Sequence, residues 1–132
     1  SPGLKVKMRQ KMLLAIDTSG SVNNTELREF MNEIYHIWKA GVDVVIMQCD
    51  TRINSILEYK GEFELEITGR GGTEFDPVLE YYNEHPAFTS LVYFTDGECG
   101  YSVKPKKRVL WVLSEQSTMN ESLPGKVIKL EL

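Results

Sequence analysis

"LLAIDTSGSV", residues 13–22, runs four apolar residues into an aspartate and follows it with three hydroxyl side chains and a glycine. The apolar part, counted from Lys11 to Asp17, has no wet face, which is the pattern of a short strand buried on both sides of a sheet. A turn needs only one or two residues such as Thr, Ser or Gly. Asp17, Thr18, Ser19, Gly20 and Ser21 in succession supply more oxygen than a turn requires, so the exit from this strand is a candidate ligand site.

Working outward, Asn24 is placed to cap a helix. Its apolar residues Leu27, Phe30, Met31, Ile34, Ile37 and Trp38 recur at three- and four-residue steps, one stripe along a helical surface. Gly41 closes it as the C′ glycine. Residues 42–50, VDVVIMQCD, form a second buried strand. Strand, helix and strand joined by short connections predict a right-handed βαβ unit and a parallel pair.

The remaining segments extend that sheet. Residues 53–59 read as a further strand. Residues 62–67 alternate Phe63, Leu65 and Ile67 against Glu62, Glu64 and Glu66, the pattern of an edge strand with one wet side, antiparallel to its neighbour. GRGGT, residues 69–73, is a flexible turn. Asp76 and Pro77 then start a second helix with Val78, Leu79 and Tyr82 on its apolar face. SLVYFTDGE (90–98) and RVLWVLS (108–114) are core strands, a short turn is expected around 114–123, and KVIKLEL (126–132) is the last strand. The fold class is therefore α/β: an open, mostly parallel sheet of five to six strands with one antiparallel edge strand, forming one domain over residues 1–132. Two helices are few for such a sheet, because each shields a strip only about 10 Å wide. An apolar sheet face left bare, or docked on a neighbouring domain, is expected.

Composition narrows the function. The 132 residues carry 15 Lys and Arg against 19 Asp and Glu, a net charge of −4, so no basic field draws the chain to nucleic acid or an anionic membrane. The cluster Lys104, Lys106, Lys107 and Arg108 reads as a solvated loop. No apolar run approaches a membrane span, and the first residues lack a signal-peptide core. Cys49 and Cys99 have no metal-spaced Cys or His companions and are expected to be free thiols of a cytoplasmic protein. His36 and His85 read as surface residues, and Trp38 and Trp111 as core. A chain opening Ser-Pro-Gly without Met is expected to be a piece of a longer one.

In open α/β sheets, ligands bind beyond the carboxyl ends of the strands, where strand order reverses. Asp17, Ser19 and Ser21 reach that edge from the first strand, Thr73 from the glycine turn, and Asp96 from the FTDGE strand. Two carboxylates and three hydroxyls form a hard oxygen set, suited to Mg²⁺ or Mn²⁺ rather than Zn²⁺ or Cu²⁺. Asp50 also ends a strand, where it can cap the turn or stand outside the ligand set, and Arg70 beside the site reads as solvated, with a contact to an acidic partner as the other reading.

Asp17-x-Ser19-x-Ser21, a later Gly-Gly-Thr73 and Thr-Asp96-Gly resemble the metal-ion-dependent adhesion site of von Willebrand factor A-like (VWA-like) domains. The order of strands, helices and motifs resembles that family over nearly the whole chain. AIDTSGSV, CDTRI and GRGGTEFDPV are similar to a bacterial VWA-like domain that follows a metallopeptidase domain. The resemblance implies direct ligation by Ser19, Ser21 and Thr73, with Asp17 and Asp96 acting through bound water. It also implies an open position for an Asp or Glu of a protein partner or adjacent domain. The expected function is a non-catalytic, Mg²⁺-dependent protein-binding module.

Two alternatives stay open. A VWA-like scaffold with a vestigial metal site could bind through the uncovered sheet face. A haloacid-dehalogenase-type phosphatase also places an aspartate after its first strand, but needs a second acid two residues later, where this chain has Ser19. An aspartic-protease reading fails because Gly20 stands three residues after Asp17 instead of two, and no G-x-S-x-G or G-x-G-x-x-G is present.

Overall fold

The opening unit folds as its pattern requires: β1 (Lys11–Asp17), α1 (Asn24–Lys39) and β2 (Asp43–Cys49) form a crossover with β1 and β2 parallel. A computed structural model describes residues 10–62, 66–115, 117, 120 and 122–130 of the chain. Four further strands and a second helix follow: β3 (Ile53–Glu58) and α2 (Asp76–Glu84) precede β4 (Ser90–Thr95), and β5 (Val109–Leu113) and β6 (Lys126–Lys129) complete the sheet. The spatial order is β3-β2-β1-β4-β5-β6. Every neighbouring pair is parallel except β2 and β3.

That exception corrects the position of the antiparallel edge. The sequence pattern put it at residues 62–67; the structure puts it at β3. Only residues 50–52 separate β2 from β3, too few for a crossover, so the chain must return as a hairpin. Residues 63–65 lie outside the described residues, and Glu62, Glu66 and Ile67 belong to no strand. Residues 116, 118, 119 and 121 of the expected 114–123 turn, and the end of the last expected strand, also fall outside.

Helix α1 is started by Asn23, one residue earlier than expected. The Asn23 side chain accepts the Glu26 N–H at 2.8 Å while Glu26 returns a carboxylate oxygen to the Asn23 N–H at 3.1 Å. This capping box needs Glu three residues after the cap, and only Asn23 meets that spacing. At the other end Gly41 adopts φ 97°, the left-handed turn that glycine makes without strain.

Alternate residues of the central strands feed two cores. Leu14, Ile16 and Ile46 face α1 and pack with Phe30, Met31 and Ile34. Leu13, Ala15, Met47 and Tyr93 face α2 and pack with Phe75, Val78 and Leu79. Trp111 is fully buried in this second core, stacked on Tyr93 at 4.9 Å, and its indole N–H reaches the Pro124 carbonyl at 2.8 Å.

Among the described residues no bare sheet face is found. Tyr101 and Val103, from the irregular segment between β4 and β5, and Leu123 cover the α2 side where helices are lacking. Asp76 ties that segment down by accepting the N–H groups of Ser102 at 2.8 Å and Val103 at 2.9 Å. Among the described residues, only Ile56 and Ile128 are large apolar side chains that remain exposed, one on each edge strand. Loops can cover a sheet as helices do when their own backbone groups find partners, and here Asp76 supplies them.

Candidate metal centre at the carboxyl edge

Strand order reverses between β1 and β4, because β1 leads to β2 on one side while β4 lies on the other. The crevice at such a switch point is where open α/β sheets place ligands. Asp17 is the last residue of β1 and Asp96 follows the last residue of β4.

The two carboxylates are joined through hydroxyls. Ser21 donates to Asp96 Oδ2 at 2.6 Å, and Ser19 Oγ lies 3.0 Å from Ser21 Oγ. Asp17 Oδ1 accepts the Ser19 N–H at 2.9 Å, and Asp17 Oδ2 accepts the Thr95 hydroxyl at 2.6 Å. Asp96 Oδ1 accepts the Glu98 N–H at 3.0 Å. Asp17, Ser19 and Asp96 are buried while Ser21 is exposed. The cluster therefore has an acidic floor and a hydroxyl rim open to solvent.

Thr73 stands beside this set. Its carbonyl accepts the Cys99 thiol at 3.3 Å, and its half-buried hydroxyl takes no part in the hydrogen bonds joining the other four. The structure thus brings together Asp17, Ser19, Ser21 and Asp96, with Thr73 on the adjoining turn.

Burial pushes the Asp17 carboxyl above the usual carboxylate range; the Thr95 and Ser19 hydrogen bonds offset part of this, and the charge of Asp96 adds to the rise. No Lys or Arg among the described residues pairs with Asp17 or Asp96. Two acids, each bonded to its own hydroxyl and paired with no cationic side chain among the described residues, are a donor set that a hard divalent cation would complete. Among the described residues no three His, Cys, Asp or Glu side chains converge as a metal-holding group; this set rests on two acids plus hydroxyls. Burial pushes Cys49 up to about 12 and also raises Cys99, and both are free.

Three residues that organise the site have no individual role in the sequence reading, although Thr18 stands in its polar run. Thr18 is fully buried; its hydroxyl donates to the Thr68 carbonyl at 2.7 Å with the Cys49 carbonyl 3.2 Å away, and its backbone carbonyl accepts the Arg70 N–H at 2.9 Å. Thr95 orients Asp17 and accepts the Gly97 N–H at 3.1 Å. Gln48 accepts the Thr68 N–H at 2.9 Å and donates to the Glu66 carbonyl at 3.0 Å. The available signal was a polar residue just inside the end of an apolar strand, at Gln48 and Thr95.

Asp50 caps the β2–β3 turn, accepting the Arg52 N–H at 3.2 Å and the Asn54 amide at 2.9 Å, and it also accepts the Gly71 N–H at 3.0 Å. The glycines of GRGGT are explained by this approach. A Cβ on Gly69 would lie 2.7 Å from Asn54 Nδ2 and 2.8 Å from Thr18 Oγ1, and one on Gly71 would lie 2.9 Å from Asp50 Oδ2. Between them Arg70 holds φ 75°, an uncommon conformation for a residue with a side chain.

Residues 12–131 match the family described as VWA-like domain (DUF2201). The chain is also 32% identical over 116 residues to an uncharacterized protein of Thermotoga maritima, a match covering 86% of this chain and 29% of that protein. The chain therefore spans less than a third of that relative's length. No helix among the described residues is long and apolar enough to cross a membrane. With the family match covering nearly all of its length and the strand order and edge cluster described above, the chain belongs to the VWA-like domain (DUF2201) family.

Proposed function

We propose that this domain is a non-catalytic, cytoplasmic binding module that holds Mg²⁺ or Mn²⁺ at Asp17, Ser19, Ser21, Thr73 and Asp96. Through that site it engages an Asp or Glu of a protein partner or a neighbouring domain. The observation that carries the reading is the hydroxyl chain from Ser19 through Ser21 to Asp96 at the β1–β4 switch point, above a buried Asp17 that no Lys or Arg among the described residues pairs with. The exposed Ser21 and half-buried Thr73 offer hydroxyl oxygens at the rim, while the buried acids sit deep enough to act through water. When bound, the cation supplies a positive centre with an open coordination position for an incoming carboxylate. The chain's own part is to hold oxygens in place and to keep positive side chains away from the acids. Family resemblance favours an adjacent domain, of the metallopeptidase class, as one source of that carboxylate.

The test is Mn²⁺ binding followed by the electron paramagnetic resonance of free Mn²⁺, with Mg²⁺ as competitor. Binding by the wild type and its loss in Ser21→Ala support the reading. A wild type that takes up neither ion at millimolar concentration, or a Ser21→Ala variant that binds as the wild type does, overturns it.

A further inference from the structure

Asp50 grips the Thr73 turn at both ends. Its side chain accepts the Gly71 N–H at 3.0 Å, and its backbone carbonyl accepts the Glu74 N–H at 3.0 Å. Thr73 lies between these two anchors. Gly71 is tied in turn to the Asp17 loop, because its carbonyl accepts the Gly20 N–H at 2.8 Å. The residue before Asp50 completes the connection: the Cys49 carbonyl accepts the Thr18 N–H at 2.8 Å. Asp50, just past the end of β2, thus holds the Thr73 turn, while its neighbour Cys49 and the turn's own Gly71 hold the Asp17 loop beside it.

The carboxylate is suited to this task. Burial pushes Asp50 up, but the Asn54 amide and the N–H groups of Arg52, Gly71 and Thr51 outweigh it and hold the carboxyl below its ordinary value. Its two oxygens face different donors, Arg52 and Asn54 on Oδ1 and Gly71 on Oδ2. An amide in its place would turn an NH₂ group toward one of those donors. Glycine at 69 and 71 is the matching half of the device, since a side chain at either would strike the Asp50 carboxylate or its partners.

We infer that Asp50 is a positioning residue for the cation site: it presents the Thr73 hydroxyl to Ser19 and Ser21 without itself touching the cation. This rests on the cation-site reading above. The chain is compared as wild type, Asp50→Asn, Asp50→Ala and Ile34→Val, the last a control that loosens the α1 core far from the edge. Amide hydrogen exchange at Gly71 and Glu74 is measured without metal, and Mn²⁺ affinity by electron paramagnetic resonance. In Asp50→Asn, Gly71 exchange is expected to quicken and Mn²⁺ to bind at least about tenfold more weakly, as loss of one charge-assisted hydrogen bond implies. Asp50→Ala is expected to bind more weakly still, and Ile34→Val to stay within about twofold of the wild type, the behaviour of distant sites. Mn²⁺ affinity unchanged in Asp50→Asn, Gly71 exchange unchanged, or an equal loss of affinity in Ile34→Val overturns the inference. A wild type that binds no Mn²⁺ overturns the cation-site reading first, and the assignment of Asp50 with it.

Discussion

Gly69 and Gly41 make a pair in which conformation is held nearly constant and crowding is not. Both take positive φ, 106° and 97°, but a Cβ on Gly41 meets nothing within 4 Å, while one on Gly69 would meet three polar atoms at 2.7–3.0 Å. Replacing either by Ala costs about 1–2 kcal/mol for the left-handed backbone and returns about 0.4–1 kcal/mol through a stiffer unfolded chain. Gly41→Ala is therefore expected to lose about 1 kcal/mol of stability. In Gly69→Ala the turn must also lift away, which puts at risk the Thr18 hydroxyl bond to the Thr68 carbonyl and the Gly71 bond to Asp50. The first is a neutral bond of about 1 kcal/mol and the second a charge-assisted one of about 1.5–3 kcal/mol. The summed expectation is about 3–5 kcal/mol, a large share of the stability of a domain this size. Urea unfolding followed by tryptophan fluorescence measures both, with buried Trp111 as the reporter. Losses that agree within about 0.5 kcal/mol, the scatter of ordinary surface changes, would refute the claim that the turn is docked tightly on Thr18 and Asp50.

Three other outcomes follow from the same geometry. Asp17→Asn is expected to abolish Mn²⁺ binding while leaving metal-free stability equal or higher, because the amide can accept from Ser19 and donate to the Thr95 hydroxyl, and a buried charge near Asp96 is gone; a marked fall in the metal-free urea midpoint would count against it. Trp111→Phe is expected to cost about 2–3 kcal/mol, combining lost packing with an unpartnered Pro124 carbonyl, read by thermal unfolding in circular dichroism. Asp76 is held below its ordinary pKa by the Val103 and Ser102 N–H groups, so it stabilises the fold above the unfolded carboxyl value of about 3.9 and stops doing so as pH falls through its folded value. The stability gap between wild type and Asp76→Ala should accordingly be full at neutral pH and shrink in acid, and a pH-independent gap would show that the carboxylate's charge plays no part.

The fold was legible where burial was symmetrical. β1, β2, β4 and β5 read from their apolar runs because both of their faces meet a core, so no helix-period pattern competes. α1 read from its stripe, and only its cap slipped by one residue, since Asn23 and Asn24 are chemically alike and the deciding partner is Glu26. The edge was harder. Residues 62–67 alternate more cleanly than β3 does, yet β3 pairs with β2 because a three-residue connection leaves no other choice. Pattern reports which face is wet, whereas connection length decides which neighbour is possible. Coverage of the α2 side was invisible for a related reason: Tyr101 and Val103 sit in a segment without periodicity, and what fixes them is a carboxylate that sequence marks only as a helix-start acid.

The site divides along the same line. Asp17, Ser19, Ser21 and Asp96 were legible because each lies at or just beyond a strand end, and strand ends at a switch point converge whatever the loops do. Thr73 was legible as chemistry but not as position, for it reaches the edge on a turn with no strand of its own. Its placement depends on what the turn lies against, namely Asp50, Thr18 and Gln48, residues 18 to 50 positions distant in the hydrogen bonds they make to residues 66–71. Sequence could show that Gly69 and Gly71 permit a close approach, but the approached surface is made only when β2 is laid beside β1. In this chain the oxygens of the first loop mark the cation site proposed above, and Asp50, accepting from Gly71 and closely faced by Gly69, fixes the turn that carries Thr73.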